Sequence, residues 1–152
     1  MSVTIKNLES ALAGESMAHI KYLYFADIAD SEGYSDIADH FRQTAMQEIK
    51  HAWGHLELLI GSPSTKECLQ LAIEGETYEY TEMYPQFKQI AETENNLVAA
   101  KFAQEQIKES REHAEEFLEV LKLAERRFAA LAKVERKHAD AYRMALAGVE
   151  ND

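Results

Sequence analysis

Glu48 and His51 stand three residues apart in the stretch Phe41 to His51, FRQTAMQEIKH. On a helix that spacing puts a carboxylate and an imidazole on one face, about a turn apart. Phe128 to His138, FAALAKVERKH, repeats the layout, with Glu135 and His138 in the places of Glu48 and His51. Two Glu-x-x-His pairs, each facing inward from its own helix, make half the ligand set of a dimetal carboxylate site in a helical bundle. The other half is a carboxylate from each of two further helices. Gly14-Glu15 and Gly75-Glu76 supply these in matched contexts, and Glu79 follows Glu76 by one turn.

Carboxylates buried together are costly, each by several kcal/mol if left ionised and unpaired. Glu15, Glu48, Glu76, Glu79 and Glu135 converging in one bundle would repel unless two cations stood among them. Hard carboxylate oxygens with imidazole nitrogens suit iron or manganese, and zinc can enter such a site. A lone Glu-x-x-His pair is usually a surface pair. Two of them with two matched Gly-Glu pairs carry the metal reading.

The elements that must position these groups are helices. Only two prolines and six glycines punctuate 152 residues, and apolar residues recur at three and four rather than at two. The expected class is all-α: a four-helix bundle with an extra inserted helical segment, forming a single domain over residues 1–152. Helices are expected over about 4–30, 35–60, 65–92 and 97–147, with the inserted segment at about 95–118. Leu8, Leu12, Ala18, Tyr22, Phe25 and Ala29 form the buried stripe of the first. Gly33 is suited to a left-handed cap. Gly61-Ser62-Pro63 ends the second helix, and Ser64 with Glu67 forms a capping box that opens the third. Pro85 is expected to bend the third helix locally.

Net charge is -11 and the single cysteine, Cys68, forms no internal disulfide and builds no four-cysteine iron or zinc module. The acidic balance argues against nucleic acid and anionic membranes as partners. The N-terminal stretch lacks a signal layout and no apolar run approaches spanning length, so a cytoplasmic protein is expected.

An internal repeat ties the helices together. Leu8, Leu12, Gly14 and Glu15 match Leu69, Ile73, Gly75 and Glu76 at a displacement of 61, whereas Tyr22 and Phe25 match Tyr84 and Phe87 at 62. One residue has been added just after Glu76, which is how a π-bulge arises, often at a functional site. Among the remaining polar residues, His19, His40 and His55 are expected to face solvent or bond to a helix, with His55 the best placed to support a ligand. Ser110 and His113 keep the Glu-x-x-His spacing without the glutamate and read as a relic without metal.

GESMAHIKYLYF, EIKHAWGHL, GETYEYTEMYP and KVERKH resemble the rubrerythrin family of ferritin-like proteins, over residues 4–92 and 119–147. The layout more closely resembles that of its short members such as symerythrin and sulerythrin. The resemblance implies a diiron centre, two iron ions per site, that reduces hydrogen peroxide. It places metal ligands at Glu15, Glu48, His51, Glu76, Glu79, Glu135 and His138. Glu79 and His51 would exchange at one iron on reduction, and the Tyr22 and Tyr84 hydroxyls would hydrogen-bond ligand carboxylates. The family's rubredoxin-like iron module does not fit a chain with one cysteine, so a separate electron-donor protein is expected. Ferroxidase or iron-handling chemistry, with oxygen as the oxidant, is the alternative.

From Leu97 to Leu146 there is neither glycine nor proline. The second-to-last helix displacement is 87 against 62 for the first-to-third, an insertion of 25 residues, or roughly seven turns. Gly61 to Ser64 spans only about 14 Å at full extension, too short for the crossover that parallel second and third helices need within one bundle. A third helix running on end to end would reach a neighbouring bundle roughly 35–40 Å away. The expectation is a domain-swapped homodimer in which each site takes Glu76 and Glu79 from the partner chain. The alternative is an intrachain bundle with a helix break between Lys108 and Glu112.

Overall fold

The computed structural model describes residues 2–149, which form helices and turns only. The order is α1 (Val3–Ser31), α2 (Ser35–Ile60), α3 (Thr65–Tyr78), a π-helical turn (Glu79–Met83), α4 (Tyr84–Thr93) and α5 (Leu97–Val149). The all-α class therefore holds. The chain divides into two compact units, Met1–Pro63 and Ser64–Asp152.

The first unit is the hairpin of α1 and α2. Ser2 caps α1 by accepting from the Ile5 N–H. Its C-terminus closes in a Schellman turn: the Tyr34 N–H donates to the Ala29 carbonyl at 2.8 Å and the Gly33 N–H to the Asp30 carbonyl at 3.0 Å. That turn requires positive φ at Gly33, which has 87°. The interface between the helices is built from alanine. Ala26, Ala38 and Ala45 are fully buried, and Ala29 and Ala52 nearly so. Such small side chains let the two backbones approach closely. Phe41 packs on the Ala26–Ala29–Ala38 cluster and stacks with Tyr22, with Phe25 edge-on to it. His19 adds a bond between the helices, its Nδ1 lying 2.7 Å from the Ala45 carbonyl. A carbonyl only accepts, so that nitrogen carries the proton. Of the stripe expected on α1, only Ala29 is buried; Leu8, Leu12, Ala18 and Tyr22 are half-buried and Phe25 is exposed. Two helices share a single interface and cannot enclose a large side chain on every side.

The second unit repeats this design. Ser64 and Glu67 form the expected capping box: the Glu67 N–H donates to Ser64 Oγ, and Glu67 Oε2 accepts from the Ser64 N–H at 2.7 Å. The added residue after Glu76 appears as the π-helical turn at Glu79–Met83. Pro85 follows in the first turn of α4, directly after the π-helical turn. The return turn copies the first unit. The Asn96 N–H donates to the Ala91 carbonyl at 2.8 Å, the Asn95 N–H donates to the Glu92 carbonyl at 3.1 Å, and Asn95 has φ of 58°.

α5 is a single helix of 53 residues, about 80 Å long at 1.5 Å per residue. The break between Lys108 and Glu112 does not occur. Its first half packs on α3 and α4 through Ala100, Ala103, Ser110, Ala114 and Leu121. The residues expected to be an inserted segment are thus the pairing partner of α3 and α4. The Lys66–Glu125 ion pair, at 2.8 Å, lies toward the end of this packed stretch. From residue 126 to residue 146 no side chain is buried. Among the described residues no helix is long and apolar enough to cross a membrane.

Candidate metal centre

In the first unit, α1 supplies Glu15 and α2 supplies Glu48, His51 and His55. One ligand atom from each of Glu15, Glu48 and His51 lies within 4.8 Å of the others. His51 Nδ1 is 3.2 Å from Glu15 Oε2 and 3.6 Å from Glu48 Oε2. His55 Nε2 is 3.6 Å from Glu15 Oε1. Despite the 3.2 Å approach, Glu15 Oε2 has no aligned hydrogen bond, and it is buried; His55 Nδ1 is likewise buried without a partner. A buried acceptor left unpaired costs about 1–3 kcal/mol. Two carboxylates and an imidazole that converge without satisfying each other fit a cation between them.

In the second unit, Glu76 and Glu79 come from α3 and the π-helical turn, and α5 answers with His113 and Ser110. His113 Nδ1 is 3.5 Å from Glu76 Oε1, and Ser110 donates from Oγ to Glu79 Oε2 at 2.9 Å. Glu76 Oε2 is buried without a partner, as Glu15 Oε2 is in the first unit. Glu76 and His113 also line an open groove of about 300 Å³ with Glu116, Phe117 and Val120. Burial pushes the Tyr84 hydroxyl above its ordinary pKa of 10.0, and the charges of Glu79, Glu76 and Glu109 add to the shift. Tyr84 therefore keeps its proton at neutral pH. Tyr22, its counterpart, sits in the aromatic cluster of the first unit.

The sequence-predicted ligands thus fall into three groups. Glu15, Glu48 and His51 meet in the first hairpin. Glu76 and Glu79 lie in the second, each against a different residue of α5. Glu135 and His138 lie on the exposed end of α5, 25 residues or roughly 37 Å along the helix from Ser110. Ser110 and His113, read from the sequence as a relic without metal, stand beside Glu79 and Glu76. The signal was available, since adding the repeat displacement of 62 to Glu48 and His51 gives 110 and 113.

An all-helical chain with a carboxylate–histidine group able to hold a metal ion is the class these features define. A family model described as Rubrerythrin matches residues 6–67 and 62–121. Rubrerythrin of Porphyromonas gingivalis is 38% identical over 133 residues, covering 79% of this chain and 66% of the relative. Rubrerythrin of Nitratidesulfovibrio vulgaris is 41% identical over 106 residues, covering 61% and 56%. Nigerythrin of the same organism is 36% identical over 130 residues, covering 76% and 64%. A solved structure of nigerythrin in a mixed-valence state shares 32% identity, covering 80% of this chain and 67% of that one, with a TM-score of 0.40. The chain belongs to the rubrerythrin family. It spans just under two thirds of the length of the curated relatives it matches, or less.

Proposed function

We propose that this chain is a diiron-carboxylate peroxidase that reduces hydrogen peroxide to water with electrons from a separate donor protein. The observation that carries the reading is the convergence of Glu15, Glu48 and His51, with Glu15 Oε2 buried and unpaired. Glu76, Glu79, Glu135 and His138 would complete the ligand set, with manganese or zinc as competitors for iron. When bound, two irons supply the two electrons that cleavage of the peroxide O–O bond takes, and two protons complete two waters. Within the chain, Tyr84 stays protonated beside Glu76 and Glu79 and can donate to a ligand carboxylate. His51, 61% exposed, has room for its ring to turn toward or away from the carboxylates, as an exchange with Glu79 requires.

The assembly that brings the ligands together is a homodimer in which each centre draws residues from both chains. Each hairpin buries little more than alanine, while Trp53, Leu58, Phe102, Phe128 and Leu131 remain exposed. Helical layers of this kind need a further apolar layer, and the bare end of α5 carries Glu135 and His138 out to meet one.

Anaerobic loading with ferrous iron, followed by stopped-flow mixing with peroxide or with oxygen, tests the activity. Faster oxidation by peroxide is expected. Faster oxidation by oxygen would replace this reading with a ferroxidase.

A further inference from the structure

We propose that Ser110 is a positioning residue that fixes which carboxylate oxygen Glu79 offers to a metal ion. The inference rests on the reading of Glu79 as a ligand and adds a determinant to it. Ser110 is 4% exposed, the one buried polar residue among those described. A serine in mid-helix has an acceptor at hand in the carbonyl four residues back. Here its hydroxyl instead donates across the hairpin to Glu79 Oε2 at 2.9 Å. A hydrogen bond to an ionised acceptor is among the stronger kinds.

The internal repeat shows what the serine replaces. Counted at 61 up to the π-helical turn and at 62 beyond it, the corresponding pair in the first hairpin is Ala18 and Glu48; in the second it is Glu79 and Ser110. The carboxylate has moved from the returning helix to the outgoing one, and a donor stands where the other hairpin has an acid. A second glutamate at position 110 would bring like charges together, which disfavours ionisation of both. The serine removes that repulsion and engages one oxygen. Oε1 would then be the oxygen Glu79 offers to a cation. Glu79 also opens the π-helical turn, so the added residue and the serine act on the same side chain.

The test titrates the metal-free full-length chain with Co²⁺, read by visible absorption. Ser110→Ala should weaken Co²⁺ binding by about tenfold or more and alter the absorption envelope, as loss of a hydrogen bond to a ligand does. In a Glu79→Gln background the same change should have no further effect, because the serine acts through that carboxylate. Parent-like affinity and spectrum in Ser110→Ala would overturn the proposal, as would additive losses in the double variant. A Glu76→Ala, Glu79→Ala chain run alongside separates the two levels. If it binds Co²⁺ like the parent, the ligand assignment itself fails.

Discussion

Gly33 and Asn95 stand 62 residues apart in the same left-handed backbone region, at φ of 87° and 58°. Each closes its helix with the same two bonds, so the hairpin has been built twice from one plan. A Cβ at Gly33 would meet no atom within 4 Å, which leaves backbone strain as the whole cost of a side chain there. Gly33→Ala should destabilise the protein by about 1 kcal/mol, and Asn95→Gly should stabilise it by about half that. Denaturant melts of the two variants check the opposite signs.

Close approach of α1 and α2 depends on alanine at the contact. Ala38→Leu or Ala45→Leu inserts three carbons where nothing is exposed, and each should cost about 1–3 kcal/mol or more. Ala45→Leu should also disturb the His19 bond to its carbonyl. Thermal unfolding, with the His19 ring followed by NMR, reads both effects.

The capping box gives α3 a defined response to acid. The Ser64 hydroxyl, then the Ser64 N–H, bond the Glu67 carboxylate and hold its pKa below 4.5. A carboxylate with a depressed pKa contributes stability that is present above its unfolded pKa and is lost as pH falls through the folded value. Glu67→Ala should therefore lower the melting temperature at pH 7 and make a smaller difference at pH 3. Equal losses at both pH values would show that the ionised carboxylate is not what stabilises the helix start.

Glu15→Gln separates the cost of the site from its use. The amide replaces a carboxylate whose Oε2 is buried without a hydrogen bond, so the metal-free protein should melt no lower than the parent. The rise in melting temperature on adding Fe²⁺ or Co²⁺ should shrink sharply, since ligand binding to the folded state alone is what produces it. Calorimetry with and without metal gives both numbers.

Sharing of each centre between chains is tested by complementation. A Glu76→Ala, Glu79→Ala chain and a Glu48→Ala, Glu135→Ala chain each lose metal when pure. After joint refolding, the swapped dimer has one intact site per heterodimer and should recover binding. No recovery would sink the swapped arrangement, and single-chain mass in native conditions would sink the dimer.

The sequence by itself determined the elements and most of what they carry. Period-3.6 patterning and the scarcity of Gly and Pro give the helices. Ser64 with Glu67 and the left-handed positions give their ends. The change in repeat displacement from 61 to 62 gives the π-helical turn, because one extra residue in a helix has no other place to go. What it left open was the partner of α3 and α4. Ser110 with His113 and Glu135 with His138 both present the right three-residue spacing on one uninterrupted helix, and spacing along a helix is blind to which turn meets a neighbour. Packing decided it. Ala100, Ala103, Ser110 and Ala114 are small enough to admit the facing helix closely, whereas the later stretch runs past the start of α3, where Lys66 pairs with Glu125, and leaves Glu135 and His138 on the exposed end of α5.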